Sequence, residues 1–301
     1  MNNYSFSSLR FSIIILVLSI TIPISAQETI HQFVEGLSTP LSGSYGREAV
    51  FQDQVLMSIA NGQWQSPEEN QDKDNSGKVI VWKKLEAGDK GMFRDKSLRG
   101  GYLYCEYRSR KNTTAILEVS GHNEVYVNGE PRGGDVYNYG WVQHPVELKK
   151  GKNTFLFRGS RGQLKAKLTT AVSDGFLSDR DPLIPDWSEG WSGDVWGAVR
   201  FIHSGGENIE GYKIVSFVNG RENSSTDVPM IGPMTSRKIP FLLNAKGMKA
   251  GDVIKLNFEL LDQRGEKINI GESPEFEIKV KGRYDKRKET FISDIDGSVQ
   301  Y

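Results

Sequence analysis

The chain has 301 residues, and its 38 Lys and Arg balance 38 Asp and Glu, so its formal charge is zero. That balance gives no support to a nucleic-acid partner, which needs a clustered basic surface. A hydrophobic fraction of 37% suffices for a packed core but not for a membrane helical bundle.

The length suits two ordinary domains, and the 32 Gly and 11 Pro fit a turn-rich all-β chain. Residues 1–26 read as a signal peptide. Arg10 precedes the apolar run Phe11–Ile20, and Ile24-Ser25-Ala26 has the small-residue pattern of a cleavage site before Gln27. The run is short for a membrane span. The expectation is therefore a secreted or periplasmic protein with no membrane contact after cleavage, the alternative being an uncleaved N-terminal anchor.

Residues 27–60 carry mixed signals, and Gln32–Leu37 reads either as a first strand or as a leader. Asn61–Gly77 is polar. Within it, Asp72, Asp74 and Ser76 place oxygen ligands at alternate positions before Gly77, as at the start of a calcium loop. Lys83 stands where such a loop needs its closing Glu, so a solvated loop competes with a structural calcium site. No other cofactor is indicated. Val79–Trp82 is a strand candidate, followed by the turn Ala87-Gly88-Asp89.

From Gly101 to Leu168 the pattern becomes regular. Ala115, Leu117 and Val119 share one face of a strand. Val125 and Val127 continue that order, and Leu164, Ala166 and Leu168 alternate with Gln163, Lys165 and Lys167. A period of two suits antiparallel strands with one dry face and one wet face. Asn128-Gly129 is a tight-turn signal because both residues tolerate positive φ. Lys149–Asn153 is a second turn, feeding a strand around Phe155 and Phe157. Cys105, the only cysteine, lies in an alternating strand and reads as a small buried hydrophobe.

The segment from Pro131 to His144 mixes Arg132, Asp135, Tyr137, Tyr139, Trp141 and His144 with Gly133, Gly134 and Gly140. Aromatic faces beside a few polar groups are the ordinary anatomy of a small-ligand site, so these six residues are the candidate contacts for a glycan or peptide. The competing reading packs the three aromatics into the rim of the domain and pairs Arg132 with Asp135.

Residues 173–193 break the pattern with Asp179, Asp181, Asp186, Pro182, Pro185, Gly175 and Gly190, and read as a linker in which Trp187 and Trp191 glue domains together. Short strands resume at 197–202, 213–218, 238–243, 253–260 and 276–280, with Asn219-Gly220, Gly251-Asp252 and Arg264-Gly265 as turns. That spacing suits an immunoglobulin-like sandwich. Residues 283–301 form a charged connector ending on the apolar stretch Phe291–Tyr301.

Val127-Asn128-Gly129 and Leu148–Asn153 together resemble a galactose-binding-like jelly roll, in which an extended strand ends in such a hairpin and a Lys-Lys-Gly-Lys-Asn turn opens the next. The resemblance implies a jelly-roll sandwich over 27–172, followed after the linker by an immunoglobulin-like sandwich over 194–282. This order, with Phe291–Tyr301 after it, is similar to the N-terminal half of large secreted hydrolases of the prolyl oligopeptidase type. It implies that a catalytic domain follows residue 301 and is this region's partner.

No catalytic residue is expected in the chain itself. A nucleophile elbow, Gly-x-Ser-x-Gly, is missing: Arg158-Gly159-Ser160-Arg161-Gly162 begins with Arg, and Gly190-Trp191-Ser192-Gly193 has the wrong spacing. His31, His122, His144 and His203 show no metal or triad spacing. Three functions remain open: an accessory region of an exported serine hydrolase, a free-standing glycan-binding protein, and an adhesive spacer.

Overall fold

The computed structural model describes residues 27–41, 53–70, 80–190, 193–244 and 246–282, and the backbone of 292–293 and 299–300. The expected signal peptide and Trp191 lie outside the described residues, as does the proposed calcium loop at Asp72, Asp74 and Ser76.

The chain is all-β: a jelly-roll sandwich followed by an immunoglobulin-like sandwich. In the first, β1 (Thr29–Gln32), β4 (Phe93–Arg94), β6 (Thr113–Ser120), β9 (Val142–Leu148) and β11 (Gln163–Thr170) make a five-stranded sheet. Opposite it lies a six-stranded sheet in the order β3 (Lys83–Glu86), β2 (Glu35–Thr39), β5 (Tyr102–Ser109), β10 (Gly151–Gly159), β7 (His122–Val127), β8 (Glu130–Gly133). The second sandwich packs β12 (Gly175–Leu183), β13 (Asp194–His203) and β16 (Thr235–Asn244) against β15 (Arg221–Asp227), β14 (Lys213–Val218), β17 (Val253–Leu261) and β18 (Phe276–Lys279). Beyond it, Ile292–Ser293 pairs antiparallel with Val299–Gln300.

The expected alternation builds the first core. Ala115, Leu117, Val119, Leu164, Ala166 and Leu168 are buried between the sheets with Phe155 and Phe157. Burying one such Leu or Phe side chain contributes about 1.5–3 kcal/mol. The turns also form as read. Asn128 and Gly129 sit at φ 52° and 88°, and Asn219 and Gly220 at 50° and 75°, the left-handed pair that a two-residue hairpin demands. The Asn153 side chain is buried and closes its own turn, accepting from the Lys149 amide at 2.8 Å and donating to the Lys149 carbonyl at 2.8 Å. Cys105 is buried, and burial pushes its thiol pKa upward.

Some expectations change. The strand expected at 79–82 begins at Lys83, and Trp82 instead packs with Val55, Tyr102, Tyr104 and Leu156 on the outer face of the six-stranded sheet. The helix α1 (Gln54–Ala60) covers that same face. It starts at Asp53, whose carboxylate accepts from the Val55 and Leu56 amides at 3.0 and 3.3 Å and from the Tyr102 hydroxyl at 2.5 Å. Asp53→Ala removes the cap and orphans a buried hydroxyl. A loss of about 2 kcal/mol is expected in chemical denaturation, with Tyr102→Phe costing less because it leaves the cap in place.

The segment expected as a linker contains β12, a strand of the second sandwich, and Trp187 is buried in that sandwich's core. The Pro and Asp residues mark a bulge inside the strand. Ser178 pairs with Arg200 and Leu183 with Ala198, so four residues of β12 stand against one of β13, and Asp181 turns to φ 54°. Bulges of this kind re-aim side chains.

The expected wet face of β6 is dry for a related reason. Ile116 packs into the second core, and Glu118 is buried. The outer face of the five-stranded sheet carries the second sandwich. Across that seam Arg180 meets Glu118 at 2.5 Å, and the Ser178 hydroxyl donates to Gln143 Oε1 at 2.5 Å.

Candidate functional site

The loop between β8 and β9 is built around one carboxylate. Asp135 is buried, and its two oxygens accept from the Tyr139 amide at 3.0 Å and the Gly140 amide at 2.8 Å. The Asn138 amide donates to the Asp135 carbonyl at 2.9 Å. Asn138 and Gly140 take φ of 61° and 73°, values that Asn and Gly accept at little strain. At Gly134 a Cβ would meet the Asn123 carbonyl oxygen at 2.0 Å, so the loop enters flush against β7.

This frame turns the aromatics outward. Tyr137, Tyr139 and Trp141 are 69%, 60% and 40% exposed. Tyr137 and Tyr139 stack with centroids 6.0 Å apart at 28°, and Tyr139 and Trp141 at 4.3 Å and 26°. The rings therefore form a ladder. Tyr139 stands between the other two rings, and Tyr137 is the most exposed of the three.

The six candidate residues divide. The three aromatics are brought together and face solvent, which corrects the reading that packs them into the rim. Arg132 pairs with Glu130 at 3.2 Å, not with Asp135. Asp135 serves the loop backbone. His144 lies on β9, its Nε2 2.8 Å from the Gly133 carbonyl. Burial lowers its pKa, and the Arg132 and Arg200 charges add to that.

Two residues missed in the sequence complete the surroundings. Arg180, from the second sandwich, donates to the Gly140 carbonyl at 3.2 Å while holding Glu118. His122 lies beneath the loop with no exposed surface, and neither ring nitrogen meets a hydrogen-bond partner among the described residues. Its ring stands edge-on to Phe157, centroids 6.4 Å apart. Burial, then the nearby His144, pull its pKa down to about 4 against the opposing Asp135 charge. The signal for Arg180 was its place among the turn residues of 173–193, which a bulged strand shares with a linker.

Among the described residues, no group of three or more His, Cys, Asp or Glu side chains is placed to hold a metal ion. Ser160, in the near-miss elbow, lies in the bend joining β10 to β11, its amide donating to the Gly121 carbonyl at 3.0 Å, rather than at a strand-to-helix turn. A cleft along the seam, about 810 Å³, is lined by residues including Asp179, Glu272, Glu275, Gln143 and Ser178 and offers no exposed aromatic face among its described lining.

No protein-family model matches the chain, and no curated protein matches it. Solved structures do. An exo-chitosanase of Amycolatopsis orientalis is 12% identical with a TM-score of 0.36, the match covering 92% of this chain and 36% of that one. A GH2 beta-galacturonidase from Eisenbergiella tayi is 10% identical with a TM-score of 0.36, covering 84% of this chain and 44% of that one. A CARDB domain from Pyrococcus furiosus is 16% identical with a TM-score of 0.27, covering 36% of this chain and 94% of that one. The chain thus spans less than half the length of the two enzymes. None of these three is a prolyl oligopeptidase-type hydrolase, and the described residues add nothing for such a parent beyond the sequence resemblance.

Proposed function

We propose that this chain is a non-catalytic binding region that holds extracellular carbohydrate on the Tyr137–Tyr139–Trp141 ladder, in the service of an exported multidomain hydrolase. The observation that carries the reading is the outward stack itself. Three large aromatics held exposed by a buried Asp135 are costly to a sandwich that has no use for them. Aromatic surface with hydroxyl and indole edges suits the C–H faces and hydroxyls of sugars. The catalytic work belongs to the parent, and a prolyl oligopeptidase-type parent rests on the sequence resemblance alone.

Affinity electrophoresis through gels containing soluble polysaccharides tests the reading. The wild-type chain is expected to be retarded on at least one glycan, and Trp141→Ala to migrate as in a glycan-free gel. Retardation unchanged in Trp141→Ala removes the ladder from the account. Because Trp141 is 40% exposed, its loss leaves the core intact, and the melting temperature should move by no more than a few degrees.

A further inference from the structure

The bulge in β12 does more than interrupt a ladder. It sends the Arg180 side chain to the aromatic loop and the next side chain, Asp181, to the basic residues of β13 and β16. Arg180 reaches the Gly140 carbonyl, between Tyr139 and Trp141, at 3.2 Å. Asp181 turns to Arg200 at 2.7 Å and Lys238 at 2.9 Å, one residue along the same strand. The strands β13 and β16 that carry Arg200 and Lys238 pack on β9, which starts directly after Trp141. The foot of the ladder is therefore a shelf from the second sandwich.

The charge of this shelf does not cancel. Glu118 is shared by Arg180 and Lys167, and Asp181 by Arg200 and Lys238, so each carboxylate faces two cations. The Arg200 Nε is buried with no hydrogen-bond partner among the described residues. Arg132 is balanced by Glu130. Asp179 is exposed but lines the seam cleft with Glu272 and Glu275. The side chains of Arg180, Arg200 and Lys238 keep 28%, 19% and 31% of their surface in solvent, enough for a ligand carboxylate to reach them. Farther along the same sheet face, Leu183, opposite Ala198, and Trp196, two residues from Ala198 on β13, are exposed.

We infer that the ligand is an acidic polysaccharide, bound across both sandwiches, with its sugar faces on the Tyr137–Trp141 ladder and its carboxylates on the Arg180–Arg200–Lys238 shelf. This rests on the glycan reading of the ladder. It adds the ligand's charge, and it makes the second sandwich part of the site rather than a spacer.

The substitution that separates this from a structural role is one that gains. Asp181→Asn removes a carboxylate from the shelf, and Asn tolerates the φ of 54° there. In affinity electrophoresis of the whole chain, Asp181→Asn should bind polygalacturonate about two- to fivefold more tightly, the span expected for one partly exposed charge. Lys238→Gln should weaken binding by a similar factor. Neither should change migration in neutral galactomannan, and the polygalacturonate retardation should fall as salt rises.

Trp141-dependent retardation that is equal on the acidic and neutral polymers and insensitive to salt overturns the inference and leaves the ladder reading standing. Retardation on no polymer overturns both. Polygalacturonate retardation that survives Tyr139→Ala/Trp141→Ala makes the shelf a simple ion exchanger and overturns the composite site.

Discussion

Arg180→Met is expected to lower the unfolding free energy by about 3 kcal/mol. Glu118 is only 7% exposed, and Arg180 is its nearer cation, at 2.5 Å against 3.4 Å for Lys167. Removing one partner of a buried pair leaves a charge in a poor solvent, and measured losses run to about 3–5 kcal/mol. Lys167 remains nearby, which sets the expectation at the low end. The same change frees the Gly140 carbonyl, so glycan affinity should fall with it.

Glu118→Gln on top of Arg180→Met should recover much of the stability, because a neutral amide is far easier to leave without a cation. Urea unfolding of the single and double variants reads this directly. Equal stability of Arg180→Met and wild type would mean that Lys167 and water satisfy Glu118 without Arg180.

The second large effect is on acid stability. His122 titrates near 4 in the fold, against about 6.5 in an unfolded chain. Between those values the unfolded state binds a proton that the folded state refuses, so stability falls as the pH drops. The contribution is fully present above about pH 6.5 and is lost progressively toward pH 4, for a total of about 3 kcal/mol. His122→Phe keeps an aromatic ring against Phe157 and has no proton to take up. Its unfolding free energy should change less between pH 7 and pH 4 than that of the wild type. His31 and His144 are also lowered by burial, so a residual slope persists. Parallel pH profiles for the two proteins would show that the His122 ring reaches water.

The account of the sequence divides along one physical line. What depends on local order was legible: the period-two strands, the Asn-Gly hairpins and the turn at Lys149–Asn153, whereas the outward display of Tyr137, Tyr139 and Trp141 stood against a packed alternative that residue types alone do not decide. What depends on a second surface was not legible. Ile116 and Glu118 read as a wet face because nothing in β6 announces that another sandwich covers it. Residues 175–183 read as a linker because Asp181 and Pro182 serve a bulge as well as a break. The burial of His122 follows from the loop folding over it, and a single histidine in an alternating strand carries no mark of that. Asp135 read as a candidate ligand contact, not as the hub that holds the loop, since that role depends on two backbone amides four and five residues away.

Isothermal titration of the whole chain with polygalacturonate, wild type against Tyr139→Ala/Trp141→Ala, tests the central claim most directly. The account predicts binding by the wild type and a loss of at least about tenfold in the double variant, corresponding to about 1.4 kcal/mol, with both proteins melting cooperatively. Equal affinity in the two proteins would contradict it.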